Sequence, residues 1–104
     1  MTTVSPLRIT SANLNGIRSA STKGFFDWLQ TDRPDVLCVQ ELKAQAADLT
    51  PAMHAPAGYH GFFHYAEKKG YSGVGIYSRT PPDRVIEGMG HAAFDAEGRF
   101  IRAD

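Results

Sequence analysis

Asp35-Val36-Leu37-Cys38-Val39-Gln40-Glu41-Leu42-Lys43 is the stretch whose reading decides the fold. Val36 to Val39 form an unbroken apolar run, the pattern of a strand covered on both faces. The run stops at Gln40 and Glu41, so a buried strand delivers a carboxylate at its carboxyl end. Upstream, Leu7 to Asn15 (L-R-I-T-S-A-N-L-N) begins by alternating apolar and polar residues, as a strand does, and Asn15-Gly16 breaks it. Between the two, Phe25, Trp28 and Leu29 sit at i, i+3 and i+4, one face of a helix with Ser21 or Thr22 as its cap. Pro34 biases Arg33 away from helical geometry, so the helix should end near Asp32. Strand, helix and strand within about 35 residues make a βαβ unit, whose right-handed crossover sets the two strands parallel.

Downstream, the alanine-rich Ala44 to His54 predicts a second helix, stopped around Pro56-Ala57-Gly58. From Tyr59 the pattern becomes strand-rich, with Y-H-G-F-F-H-Y-A, G-V-G-I-Y-S-R, R-V-I-E-G-M and R-F-I-R-A. The joints Lys68-Lys69-Gly70, Thr80-Pro81-Pro82-Asp83 and Ala96-Glu97-Gly98 carry turn chemistry, and mostly antiparallel pairing is expected. The last segment, Arg99 to Asp104, reads as a strand in progress, which suggests a piece of a longer protein.

The 104 residues are sized for one small domain, and 42% apolar with 21% charged is ordinary for a soluble globular chain. Eleven basic and eleven acidic side chains cancel, so no global basic field draws in nucleic acid and an anionic partner must be held locally. Cys38 alone cannot form an internal disulfide. It suits a reducing compartment, and its place in the apolar run reads as a small buried hydrophobe. The opening M-T-T-V-S-P-L-R lacks the basic and apolar pattern of a signal peptide, and no apolar stretch approaches the roughly 20 residues that span a bilayer. A soluble, cytoplasmic protein without a membrane partner is expected.

In a βαβ unit both strand tips lie on one rim, where open α/β proteins bind ligands. Asn13 and Glu41 fall at those tips, and neighbouring strands lie about 4.8 Å apart, within reach of one ion. A partly desolvated carboxylate needs positive compensation, and Mg²⁺ takes oxygen ligands from one or two carboxylates while keeping waters and substrate phosphate. Glu41 capping its strand or pairing with Lys43 is the alternative, and spacing alone leaves both open.

Four segments occur in order: S-A-N-L-N-G-I-R-S, V-L-C-V-Q-E-L-K, K-K-G-Y-S-G-V-G-I-Y-S-R and F-D-A-E-G-R. Together they resemble the amino-terminal motifs of the exodeoxyribonuclease III and AP endonuclease family, within the endonuclease/exonuclease/phosphatase superfamily. The resemblance runs from about Leu7 to the chain's end. It implies an α/β fold: the amino-terminal half of a deoxyribonuclease-I-like two-sheet sandwich, with a mixed sheet and flanking helices. It also implies Asn13 and Glu41 as ligands of a catalytic Mg²⁺ or Mn²⁺, and Arg18, Lys23, Gly70 and Tyr71 as contacts to the DNA backbone. The family often carries tryptophan just before the metal-binding asparagine, where this chain has Ala12, a departure that bears on packing more than on chemistry. The physics of these residues suits the roles. Arg18 offers a fork for phosphate oxygens, and Lys23 sits near a helix start whose free N–H groups favour an anion. Gly70 and Gly73 allow close backbone approach.

The implied activity is metal-dependent hydrolysis of a DNA phosphodiester in base excision repair. The partner would be double-stranded DNA with abasic sites or 3′ ends, and the full-length protein a monomer. The family's histidine–aspartate base, central tyrosine and Asp-x-Asn motif belong to a region beyond the one this chain matches. The chain alone is therefore expected not to catalyse, and to expose apolar surface meant for a second sheet.

Lys68 and Lys69 read as a solvated hairpin turn, and Gly70, Gly73 and Gly75 as a bulged or tightly covered strand. The glycines do not match a nucleotide-binding fingerprint, because the spacing differs and no helix follows. His60 and His64 share a strand face but lack further ligands at metal spacing, so they read as surface or packing residues, and His54 and His91 stand alone. Three alternatives stay open: a superfamily phosphodiesterase or phosphatase acting on a phospholipid or small phosphate ester, a non-catalytic fragment, and an unrelated flavodoxin-like domain. The last predicts parallel strands after Tyr59.

Overall fold

The protein is described by a computed structural model over residues 6–104. The expectation about a leader rests partly on residues 1–5, which lie outside the described residues. Strands β1 (Ile9–Asn13) and β2 (Val36–Gln40) pair in parallel with Asn13 opposite Gln40. β4 (Val74–Ser78) lies antiparallel on the other side of β2, and β3 (His60–His64) antiparallel on β4, giving the order β1-β2-β4-β3. β5 (Val85–Glu87) and β6 (Ile101–Ala103) form a separate antiparallel pair. The parallel βαβ start and the antiparallel remainder agree with the expectation, and the antiparallel β3 and β4 remove the flavodoxin-like alternative.

Alternation along the strands divides the sheet into a packed and an open face. Leu37, Val39, Phe63 and Tyr77 point to the packed face and are buried with Ile17, Leu29 and Leu42. Phe63 and Tyr77 meet edge to face at 5.4 Å, the geometry aromatic quadrupoles favour. Gly75 leaves room for that ring, since a Cβ there would lie 2.5 Å from Phe63 Cδ1. The Tyr77 hydroxyl donates to the Met53 carbonyl at 2.6 Å and Tyr59 to Pro34 at 2.6 Å, so both buried phenols are satisfied.

The open face carries Val36, Cys38, Ile76 and Phe62, all partly buried, with Ile9 62% and Leu7 66% exposed at its edge. A groove of about 570 Å³ runs along it between Ile9, Cys38, Ile76 and the Pro81-Pro82 turn. Cys38 is thus half-buried on this face rather than within the core, and desolvation raises its thiol pKa. His60 and His64 share the same face as expected, and His64 Nδ1 lies 2.8 Å from the Phe100 carbonyl.

The helices correct three expectations. α1 (Ile17–Thr22) precedes the expected helix, and α2 (Phe25–Asp32) begins at a left-handed Gly24 rather than a Ser21 or Thr22 cap. Apolar periodicity does not announce α1; its anchor is Ile17, wholly buried, whose N–H donates to the Leu42 carbonyl at 2.9 Å. The predicted Ala44–His54 helix is instead a 3₁₀ turn (Ala46–Asp48) and the short α3 (Pro51–His54). Gln45 and Asp48 cap one another and Pro51 starts a new helix under Thr50, so local capping outweighs alanine propensity. A short α4 (Ala92–Asp95) also stands between β5 and β6.

Candidate metal and nucleic-acid site

The peptide segment 41–43 continues β2 past its end and is held on both sides. Gly16 and Ile17 donate to the carbonyls of Glu41 and Leu42 at 2.8 and 2.9 Å. Leu42 and Lys43 in turn donate to the carbonyls of Gly73 and Ser72 at 3.1 and 2.8 Å. The loops after β1 and before β4 therefore flank Glu41, and three chain segments form one rim.

The backbone of this rim is unusual. Among the described residues, non-glycine positions with positive φ are Asn15 (47°), Arg33 (54°), Glu41 (54°), Lys43 (50°) and Ser72 (49°). All but Arg33 belong to the rim. Left-handed backbone costs an L-residue roughly 1–2 kcal/mol, and strain of this kind gathers where a site must be held in one shape. Gly73, at φ 89°, supplies the same curvature beside them, and a Cβ there would press Leu42 at 3.2 Å.

Side chains then connect across the rim. The Asn13 carboxamide N–H donates to Glu41 Oε2. Asn13 Oδ1 accepts from the Asn15 backbone N–H at 2.9 Å, which fixes which end of the amide faces the carboxylate. Lys43 Nζ donates to Asn15 Oδ1 at 2.5 Å. Arg18 Nη2 donates to the Lys43 carbonyl at 3.1 Å, and its Nη1 lies 4.0 Å from Asp48. Neither Asn13, which is exposed, nor Glu41, which is half-buried, points into the core. Glu41 meets Asn13, while Lys43 bonds Asn15, so the expected alternative of a direct Glu41–Lys43 pair is not the arrangement formed.

Gly70 and Tyr71 stand in the loop immediately before Ser72, on the same rim. The Tyr71 hydroxyl accepts from Arg99 Nη2 at 2.6 Å and lies 3.3 Å from Glu97 Oε1. Lys23 is exposed at the end of α1, and it shares a cavity of about 300 Å³ with Asn13, Phe25 and Trp28. The residues expected at the site thus lie along one edge, with Lys23 on its flank. Asn15, Lys43 and Arg99 were not among them. N-L-N and E-L-K each repeat a polar residue two positions after the first, and that repetition is the one local signal for Asn15 and Lys43, although the chain there is left-handed rather than extended.

Glu41 supplies a hard carboxylate oxygen, with neutral carboxamides beside it. Among the described residues, no three histidine, cysteine, aspartate or glutamate side chains cluster as a metal cage. One carboxylate beside neutral carboxamides is a donor set of hard oxygens, the kind that suits a hard divalent cation keeping some of its waters.

The sequence profile of the endonuclease/exonuclease/phosphatase family matches residues 10–103. The chain belongs to that family. An exodeoxyribonuclease of Bacillus subtilis is 38% identical over 96 residues, covering 91% of this chain and 37% of the relative. A DNA-(apurinic or apyrimidinic site) endonuclease of Dictyostelium discoideum is 36% identical over 95 residues, covering 91% of this chain and 26% of its own length. The solved AP endonuclease from Archaeoglobus fulgidus superposes with a TM-score of 0.79 at 36% identity, over 94% of this chain and 37% of that one. The chain spans about a third of the length of these relatives. The deoxyribonuclease-I-like α/β assignment agrees with this likeness, and the family's named activities are hydrolytic. Among the described residues, no helix is long and apolar enough to cross a membrane.

Proposed function

We propose that this chain is the metal-binding and DNA-backbone-binding part of a phosphodiester hydrolase of exodeoxyribonuclease III and AP endonuclease type. Its substrate would be double-stranded DNA with abasic sites or 3′ ends, and the full-length protein a cytoplasmic monomer in base excision repair. The observation carrying this reading is the Asn13–Glu41 contact on a rim that also holds Arg18 and Tyr71.

Glu41, with Asn13 beside it, would hold Mg²⁺ or Mn²⁺. Such an ion, when bound, neutralises charge on a phosphoryl oxygen. The remaining roles belong to the chain itself. Asn13 fixes the carboxylate through its N–H, the Asn15 backbone N–H fixes Asn13 from behind, and Lys43 holds the Asn15 side chain. Arg18 and Lys23 meet phosphates on one flank, while Gly70 and Tyr71 do so on the other. Charged donors to phosphate oxygens set register on a duplex without reading bases.

An attacking water also needs a base within about 3 Å or one water's reach. Glu41 is taken up by the ion, and its side-chain partner Asn13 is an amide, which cannot serve. The isolated chain is therefore a binder without turnover. Incubating purified chain with an abasic-site duplex and Mg²⁺ tests both halves: retained complex without cleavage is expected, and clear turnover refutes the second half. Hydrolysis of a phospholipid head group, with none of DNA, would move the assignment to the phosphatase branch.

A further inference from the structure

Lys68 reads from sequence as a solvated turn residue, and Arg99 as the start of a strand. Their side chains nevertheless converge on Tyr71 from two different segments. Lys68 Nζ stands 5.5 Å from the Tyr71 ring centroid, and the Arg99 guanidinium carbon is also 5.5 Å from it. Arg99 Nη2 donates to the Tyr71 hydroxyl at 2.6 Å and Arg99 Nε to Glu97 at 2.9 Å. The two segments dock through the backbone, where Glu67 N–H donates to the Ala96 carbonyl at 2.8 Å.

We propose that Lys68, Tyr71 and Arg99 form a phosphate-binding bracket that grips the DNA backbone beside Glu41, with Glu97 holding Arg99 in place. The inference rests on the nuclease reading above. Two cations gathered at one half-buried ring, with the single Glu97 carboxylate bonded to one of them, leave a local positive charge that favours an anion. Arg99 has five N–H donors in a planar fork; Nε serves Glu97 and one Nη2 hydrogen serves Tyr71, leaving the Nη1 pair for an incoming oxygen. The Arg99 side chain is 52% exposed, so a duplex can reach it without rearranging the core. Its place on the rim follows from Tyr71, one residue before the Ser72 carbonyl that accepts from Lys43. Arg99 also shares a cavity with Gln40 and Val74, the paired residues at the end of β2 and the start of β4. The bracket needs no base contact, so its grip is independent of sequence.

The test is fluorescence anisotropy of a labelled abasic-site duplex with the full chain, titrated across salt concentrations. Replacing a phosphate contact lowers the slope of log K against log salt by about 1 and weakens binding about five- to tenfold near 0.1 M salt. Arg99→Gln and Lys68→Gln are each expected to do this. Arg79→Gln, at the opposite rim beside Asp35, removes the same charge and is expected to leave the slope unchanged. Circular dichroism confirms that each variant folds. Wild-type slope and affinity in Arg99→Gln and Lys68→Gln, with Arg18→Ala weakened, overturns the bracket and spares the nuclease reading. A wild-type chain without affinity for the duplex overturns both.

Discussion

Asn13 and Glu41 are 28 residues apart in sequence, yet the carboxamide of one donates to the carboxylate of the other. This contact restrains the Glu41 carboxylate, and for an ion held there, as proposed above, orientation of that kind is worth about 10- to 100-fold in affinity. Titrating Mn²⁺ should broaden the amide resonances of residues 13–16 and 41–43 selectively. Glu41→Gln is expected to abolish the broadening, and Asn13→Ala to weaken the apparent affinity about tenfold. Broadening that persists in Glu41→Gln would place the ion elsewhere.

Tyr77 is wholly buried, and its hydroxyl reaches Met53 in α3, tying that short helix to the sheet. Tyr77→Phe should cost about 1–2 kcal/mol, since the Met53 carbonyl loses its partner. Urea denaturation measures this. A change within a few tenths of a kcal/mol would show that water replaces the bond.

Burial also raises the Tyr77 pKa, with Tyr65 contributing. A folded-state pKa above the unfolded value gives stability that is complete below the unfolded pKa and is lost as pH rises through the folded one. Loss should therefore begin above about pH 10, where the unfolded phenol ionises. The Tyr77→Phe variant should show a shallower alkaline decline. Identical declines in the two proteins would assign the effect to other groups.

Gly75 leaves no space for a methyl group, because Phe63 and Val39 close on it. Gly75→Ala should destabilise by about 1–3 kcal/mol through overpacking. Thermal unfolding reads this out, and a neutral or raised Tm would show that Phe63 swings aside at no cost.

Asp104 accepts from Arg102 Nε and Arg84 Nη2 at 2.8 Å each, and these hydrogen bonds, Arg102's first, lower its carboxyl pKa to about 2. A depressed carboxyl supports the folded state above its ordinary value of 3.8, and that support fades as pH falls toward about 2. Following Asp104 by NMR should give a midpoint near 2, moving up toward 3.8 in Arg102→Gln. A midpoint already at the ordinary value in the wild type would contradict the pairing.

Much of the frame could be read in advance because its signals are local. The apolar run Val36–Val39 and the break at Pro34 set β2, and strand connectivity then fixed where Asn13 and Glu41 meet. The failures came where local signals compete or distance rules. Alanine content favoured a helix at Ala44–His54, but the Gln45–Asp48 capping pair and Pro51 divided it. The left-handed backbone at Glu41 and Lys43 left no trace, since neither residue prefers that conformation. Arg99 meets Tyr71 across 28 positions, a distance no periodicity spans.

Main-chain bonds to the loops on either side fasten residues 41–43 in place. The course of the chain under the carboxylate is thus set by main-chain bonds rather than by the Asn13 side chain. Exchanging the side chain at 13 should change how the Glu41 carboxylate is aimed while the peptide that carries it stays put, as one changes a lens in a fixed mount.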